Sequence, residues 1–511
     1  MGLCWWIADF YGATKIQTLQ SVKRILLPTD FSRKAQHAVD YALKSFAGDI
    51  FTPNFKIMNK TGLIDKYNIP APRYTSYPTV PFWDEYPPSL TRWLKVVAGT
   101  FNESNAEKGI SLYIHLPFCE SLCTYCACST RITKNHQVEK TYIQAVLAEW
   151  ELYQDHFSTK PVIRELHLGG GTPTFFSPTN LKKLITSLLR NTELHPNYEF
   201  GFEGHPNNTT EDHLKALHSL GFKRASFGIQ DFDEKVQRTI NRLQSYEKVV
   251  QVTKLARQIG YESINFDLIY GLPYQTTASI ENTVEKVARL MPDRIAFYSY
   301  AHVPWIKPGQ RSYTTADLPD SVEKRDLYEL GKKLLIDLGY EDIGMDHFAL
   351  KTDPLYLAKQ NKTLHRNFMG YTTSHTDLLI GLGVSAISDA KYAYAQNLKK
   401  VEAYQAEVLH SKLAIIKGHE MTKEDLDIKF LILDIICKGK ANSNFSVLDS
   451  LDLRAKHELK TMTEEGLIVL NKGDLEVTEL GQAFIRNICM VFDAKLRNHH
   501  KNVDPIFSKA I

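Results

Sequence analysis

The sequence predicts an α/β fold: an open, partial β/α barrel followed by a mostly helical, winged-helix-like C-terminal domain. Two observations carry this expectation. Between residues 111 and 300, short apolar runs alternate with longer amphipathic stretches, and strand, helix, strand repeated in this way argues for a parallel sheet with crossover helices. Beyond residue 415 the alternation gives way to helical patterns around one hairpin signal.

The candidate strands are SLYIHL (111–116), ELHLG (165–169), YEFGFE (198–203), RASFGI (224–229), SINFDLIY (263–270) and RIAFYSY (294–300). Amphipathic segments at 137–155, 179–190, 211–220, 233–259 and 278–290 separate them. Six such strands fit a partial barrel, although periodicity by itself also admits a flat doubly wound sheet. A mixed segment follows at 321–400, with a strand-like YEDIGMDHFA (340–349). In the C-terminal part, GLIVLNKGDLEVT reads as a hairpin turning at Lys472-Gly473-Asp474, with the helix TELGQAFIRNICMVFDAKL after it. At the other end, residues 23–49 read as one strand and one helix and resemble the opening of a universal stress protein. One βα unit cannot bury its own apolar face. Residues 1–57 are therefore expected to be a fusion remnant or a misplaced start, with function beyond them. The expected parts are 1–57, an arm at 58–110, a main domain at 111–400 and a helical domain at 401–511.

Composition bounds the function classes. The chain has 511 residues, 43% hydrophobic and 23% charged, with a formal net charge of +3, which is ordinary for a globular protein with a sizeable core. That charge gives no reason to expect a nucleic acid partner, and the mixed charges of the C-terminal domain show no basic recognition helix. No run of about 20 apolar residues indicates a membrane span. The N-terminus has no signal-peptide pattern, so a cytoplasmic protein is expected.

Of seven cysteines, Cys119, Cys123, Cys126 and Cys128 fall within ten residues. In a long chain with no secretion signal, such crowding points to metal rather than to disulfides. The spacing Cys119-x3-Cys123-x2-Cys126 puts three thiolates on one short loop after a strand. A structural zinc site instead pairs its ligands across a longer loop. Three ligands for a 4Fe–4S cube leave one iron free to chelate S-adenosylmethionine (SAM), and this spacing is the defining pattern of the radical SAM superfamily. Cys128 is not required as a ligand. Gly169-Gly170-Gly171-Thr172-Pro173 follows the second strand, where a glycine-rich turn lets backbone groups approach a ligand. Glu203 and Gln230 end the third and fourth strands, and Asp267 lies within the fifth, so several polar groups reach the C-terminal rim where barrels bind ligands. No histidine is assigned a metal role.

The chain from about residue 60 to 511 resembles the oxygen-independent coproporphyrinogen III oxidases. The matching stretches include PRYTSYPT (72–79), LYIHLPFC with CxxxCxxCxC, GGGTPT, GIQDF (228–232), FDLIYGLP (266–273), MDHFA (345–349), HRNFMGYTT (365–373), GVSAIS (383–388) and RNICMVFD (486–493). The resemblance implies a partial barrel and two SAM molecules. It carries SAM contacts onto Tyr113, Gly170, Gly171, Thr172, Glu203, Gln230, Arg242, Asp267, Ala301 and Ile387. It also carries one onto Tyr125, where the family has a different aromatic. Ala127 and Ser129-Thr130-Arg131 depart from the family pattern. The implied reaction turns two propionates of coproporphyrinogen III into vinyls, with loss of CO2, giving protoporphyrinogen IX. A flavodoxin- or ferredoxin-like electron donor and a monomeric state go with it. Arg73, Arg311 and Arg366 are candidates for holding the substrate's carboxylates. The rivals are a haem chaperone of the same superfamily and a non-catalytic, metal-containing winged-helix binding protein.

Overall fold

The computed structural model describes residues 60–84, 89–442, 451–471, 474–498 and 507. The segment 1–57 and the turn residues Lys472-Gly473 lie outside them.

After α1 (Lys60–Tyr67) and α2 (Leu90–Lys108), the chain alternates strand and helix. The strands are β1 (Ile110–Leu116), β2 (Val162–Gly170), β3 (Glu193–Gly204), β4 (Phe222–Gln230), β5 (Ser263–Tyr270) and β6 (Arg294–Ser299). Between them lie α3 (Val138–Gln154), α4 (Pro178–Leu188), α5 (Glu211–His218), the pair α6 (Glu234–Thr239) and α7 (Tyr246–Ile259), and α8 (Thr277–Ala288). All six strands are parallel and stand side by side in chain order. A doubly wound sheet reverses its strand order part-way. Sequential order is the barrel progression, which decides between the two readings the periodicity left open.

The segment 233–259 is two helices rather than one. Asn241 adopts a left-handed φ of +51°, and Ser245 accepts a bond from Lys248 N to cap α7. The side chain of Asn241 reaches instead to the carbonyl of Leu122 at 2.7 Å.

After α9 (Ser321–Asp337), the strand-like 340–349 proves to be a hairpin of β7 (Tyr340–Gly344) and β8 (His347–Leu350), turning through Met345 with φ +46°. β8 adds antiparallel to β6. Beyond α10 (Pro354–Gln360), β9 (Leu379–Leu382) adds parallel to β1. Antiparallel β10 (Ile387–Asp389), β11 (Ala393–Asn397) and, after α11 (Val401–Leu409), β12 (Ile415–Glu420) follow it. The result is one twelve-stranded open sheet. It takes in β12, which the sequence reading put with the C-terminal domain.

The two faces of the barrel strands differ in kind, as the period of two requires. Leu112, Ile114, Leu166, Leu168, Phe200, Phe202, Phe227, Ile264, Phe266, Ile295 and Phe297 face the helices and are buried in the main core. The alternate residues, among them Tyr113, Glu165, His167, Glu199, Glu203, Arg224, Ser226, Asn265, Asp267 and Tyr298, face inward. Many barrels fill this space with branched aliphatic layers, whereas here it is polar. The hairpin His365–Asn367/Gly370–Thr372 and the residues after it close the N-terminal end. There Thr372 and Ser374 donate to Glu165, and Thr373 donates to Glu199 at 2.9 Å.

The C-terminal part runs through α12 (Lys423–Lys438), β13 (Lys440–Ala441), α13 (Leu453–Glu464), β14 (Ile468–Asn471) and β15 (Asp474–Val477). Its helices and hairpin match the expected winged-helix order. The long final helix is broken into a 3-10 turn at Gly481–Phe484, α14 (Ile485–Met490) and α15 (Ala494–Asn498). Leu63, Tyr67, Tyr74 and Tyr77 of the N-terminal arm share its core with Ile428, Leu431, Ile435 and Ile488. Among the described residues, no helix is long and apolar enough to cross a membrane.

Candidate functional site

The cysteine loop begins where β1 ends. Phe118–Cys119 pairs in parallel with Arg131–Ile132, and Arg131 N to Pro117 O (2.8 Å) and Thr133 N to Cys119 O (2.9 Å) fix the neck of the loop. Inside it, Cys126 N donates to Cys123 O at 3.1 Å. Distant segments hold the loop from outside. Thr124 N donates to Ile240 O at 2.9 Å, and Arg242 Nη1 lies 3.5 Å from Cys123 Sγ. Gln310 Nε2 donates to Tyr125 O at 3.0 Å, and Lys307 Nζ to Cys128 O at 3.1 Å. The break between α6 and α7 thus serves the site, because a continuous helix would keep Ile240 O and would not present Arg242.

The glycine-rich turn packs directly beneath the loop. Gly171 N donates to Leu116 O (2.8 Å) and Thr172 N to Phe118 O (3.0 Å). A Cβ on Gly171 would stand 2.5 Å from Pro117 O, so only glycine permits this approach. Thr172 Oγ1 lies 3.3 Å from Cys119 Sγ. Glu203 accepts from Gly170 N and faces His167 Nε2, each at 3.3 Å. β4 ends in a register shift between Gly228 and Gln230, where Gln230 takes a φ of +69°, rare for a residue with a Cβ. That kink turns Asp231 into a buried network with Gln275 (2.6 Å) and Thr283 (3.1 Å) and leaves Gln230 in the wall of the site.

These groups line one cleft of about 550 Å³ at the C-terminal rim of the barrel. The cleft brings together Cys119, Cys123, Cys126, Tyr125, Gly170, Gly171, Thr172, Glu203, Gln230, Arg242 and Asp267, with Cys128 and Tyr298 beside them. Tyr113, Ala301 and Ile387 do not line it. Tyr113 lies just beneath, its hydroxyl 3.1 Å from His115 Nδ1 and its ring stacked on His167. Ala301 is tied to the cysteine loop through Gln310, whose amide donates to both Ala301 O and Tyr125 O. Ile387 opens β10, opposite Gln396.

Burial and charge tune the titrating groups. Burial, with the Glu203 charge added, pushes Asp267 up to about 6, against bonds from Ser226 (3.0 Å) and Asn265 (2.8 Å). Burial beside Arg242 drives His205 down to about 2, so it is a neutral imidazole at physiological pH. The bond with the Cys128 thiol draws Cys126 down, while burial pushes Cys119 up to about 11.

The donor set fits a cluster better than a single ion. Among the described residues, no three His, Cys, Asp or Glu side chains converge as one ion requires. Thiolates that bind three different irons of a cube need no such convergence. Arg242 stands among the thiols with its buried Nε unpartnered, and so offers positive charge and a free donor to an anionic cluster or its ligand. The loop's clamps at Asn241, Lys307 and Gln310 were not foreseen from the sequence. The one signal was Asn241, a residue that tolerates left-handed backbone, standing inside a helical pattern.

Residues 113–287 match the radical SAM superfamily. The sequential barrel, the three-cysteine loop after its first strand and this match together define a radical SAM enzyme. Among characterised relatives, the oxygen-independent coproporphyrinogen III oxidase of Helicobacter pylori strain J99 is 38% identical over 459 residues, which cover 87% of this chain and 98% of the relative. That of Escherichia coli K12 is 37% identical over 445 residues, covering 85% and 95%. The solved structure of the Escherichia coli coproporphyrinogen III oxidase, described as a radical SAM enzyme, superposes with a TM-score of 0.78 at 36% identity. It covers 86% of this chain and 100% of that one. The chain belongs to the oxygen-independent coproporphyrinogen III oxidase family.

Proposed function

We propose that this protein oxidatively decarboxylates two propionate side chains of coproporphyrinogen III to vinyls, without oxygen, and yields protoporphyrinogen IX for haem synthesis. The observation that carries the reading is the single cleft that gathers the three-cysteine loop and the polar barrel rim. When bound at Cys119, Cys123 and Cys126, a reduced 4Fe–4S cluster with SAM would supply the 5′-deoxyadenosyl radical that removes a hydrogen from the carbon β to a departing carboxylate; loss of CO2 would then form the vinyl and release one electron to a one-electron acceptor.

The chain's own residues bind and orient. Cys119, Cys123 and Cys126 would hold the cluster through three thiolates, leaving a site on it for SAM. Arg242, 3.5 Å from Cys123 Sγ, offsets the charge of the thiolates. The Gly170-Gly171-Thr172 backbone lies close beneath the loop; its N–H groups are already donated to Glu203, Leu116 O and Phe118 O, so a ligand's methionyl amine meets its C=O groups. Glu203 and Asp267 accept hydrogen bonds from amine or ribose hydroxyl, and Gln230 offers an amide between them. Tyr125 lines the cleft, and Tyr113 lies just beneath it. Together with Ala301 and Ile387 these residues serve two SAM molecules. A cytoplasmic monomer supplied by a flavodoxin- or ferredoxin-like donor completes the reading.

The test is anaerobic turnover by the reconstituted protein with coproporphyrinogen III, SAM, a reductant and a one-electron acceptor, the porphyrins being separated after oxidation. Protoporphyrin should appear together with 5′-deoxyadenosine. A protein that cleaves SAM and binds haem tightly, yet leaves coproporphyrinogen unconverted, would instead be a haem chaperone.

A further inference from the structure

The inner face of the barrel carries more positive charge than the cysteine loop and its rim use. Most of it is compensated: Arg224 pairs with Glu199, and Arg294 with Asp353 at 2.8 Å. Arg73 donates to Ser299 O at 3.0 Å, faces Asp346 at 3.7 Å and lies 5.6 Å above the Tyr298 ring. Arg366, on the hairpin that closes the N-terminal end, is different. It is only 7% exposed, and its Nε and Nη1 have no hydrogen-bond partner. Its guanidinium lies over the face of Tyr371, 4.7 Å from the ring centre. Among the described residues, no carboxylate pairs with it.

The surroundings connect this arginine to the site. His347 Nε2 stands 3.3 Å from the Tyr298 hydroxyl, and its Nδ1 is also buried without a partner. The charges that bear on His347 are those of Arg366, Arg73 and Arg294. Tyr298 is in turn a wall of the cleft that holds the cysteines. Arg366, Arg73 and His347 therefore occupy the corner just behind Tyr298. Arg311, the third arginine considered from the sequence, is exposed and bonds Pro304 O at 3.0 Å.

A buried cation without a partner is a costly arrangement. Its guanidinium fork is shaped for a carboxylate and holds one with charge-assisted bonds. We propose that Arg366, with Arg73 and His347 beside it, receives a propionate carboxylate of the tetrapyrrole and so fixes the macrocycle's orientation against the cluster. This rests on the oxidase reading above. It assigns the corner behind Tyr298 to substrate and leaves SAM to the rim.

The experiment uses the full, cluster-loaded protein under anaerobic conditions. Its probes are coproporphyrin III, which has four free carboxylates, and the tetramethyl ester of the same porphyrin, followed by fluorescence quenching. The wild type should prefer the free acid. Arg366→Gln should weaken acid binding by about tenfold or more, leave ester binding, iron content and SAM affinity unchanged, and raise the KM for coproporphyrinogen III. Arg366→Lys, which keeps the charge but loses the fork, should fall between. An Arg366→Gln protein that binds the acid like the wild type overturns the inference. Should that variant fail to fold, Arg366→Lys decides: an undiminished acid-to-ester preference overturns the inference, and a reduced one upholds it. A wild type that converts coproporphyrinogen while these variants behave normally leaves the oxidase standing without the arginine pocket. A wild type that never converts it removes both.

Discussion

Asp267 is predicted to lower the stability of the protein that depends on it, and replacing it by Asn should make the unloaded protein more stable. Its carboxyl sits on the inner face of β5, bonded to Ser226 and Asn265, with burial and the Glu203 charge raising it from 3.8 to about 6. In the unfolded chain the same group ionises near its ordinary value. Between these two values the folded protein binds more protons than the unfolded chain, so stability falls as pH rises through the window and stays low above it. The ionisation penalty is about 3 kcal/mol at pH 7.5 and under about 1 kcal/mol at pH 4. An Asn cannot ionise, fills the same space and still accepts the bond from Ser226. The stability gap between Asp267→Asn and the wild type should therefore widen by about 2–3 kcal/mol from pH 4 to pH 7.5. Urea unfolding of both unloaded proteins across that range, followed by tryptophan fluorescence, measures it directly. The same variant should bind SAM about ten- to a hundredfold more weakly, because a charged acceptor is gone. A gap that stays constant with pH would refute the reasoning, whatever its size.

Two further predictions concern the cysteine loop. Cys123→Ala should lose most of its iron and all SAM cleavage while keeping its far-ultraviolet circular dichroism; a variant with full iron, sulfide and turnover would contradict the cluster assignment. Gly171→Ala places a methyl 2.5 Å from Pro117 O and strains the Gly171 N and Thr172 N bonds to the loop. It should cost about 2–4 kcal/mol in urea unfolding and lower iron retention, whereas unchanged stability would mean that the turn and the loop are not in close contact.

Much of this architecture could be read from the chain because the barrel strands obey a simple rule. Apolar residues point toward the helices and polar ones inward, so each strand showed its period of two. The β9–β12 extension was harder to read. Leu379–Leu382 is buried at every position and its neighbours are three to six residues long, so no alternation marks them. The hairpin at 340–350 was read as one strand because Met345 is not a residue that signals a turn. The three clustered cysteines and the rim acids were legible from spacing and strand ends. The supports were not: Asn241 leaves the helix to bond a carbonyl 119 residues away, and helical periodicity, with Val236 and Ile240 in phase, cannot report such a partner. Lys307 and Gln310 lie in an irregular segment where there is no period to read. Tyr113, Tyr125, Arg242, Ala301 and Ile387 came from family resemblance alone; Tyr125 and Arg242 line the cleft, and the other three do not.

The clamp on the cysteine loop has a consequence for the order in which the protein is made. The thiols are synthesised well before Ile240, Asn241 and Arg242, the residues that hold their loop in place. Chains grow at about 5–20 residues per second, so on the order of ten seconds separates Cys126 from its clamp. Lys307 and Gln310 arrive several seconds later still. Throughout that interval the nascent chain carries unsupported cysteines that can be oxidised or take up stray metal. A supported loop is therefore expected only once Gln310 has emerged, and the cell's capacity to keep thiols reduced during that wait becomes one determinant of how much loaded protein each round of translation yields.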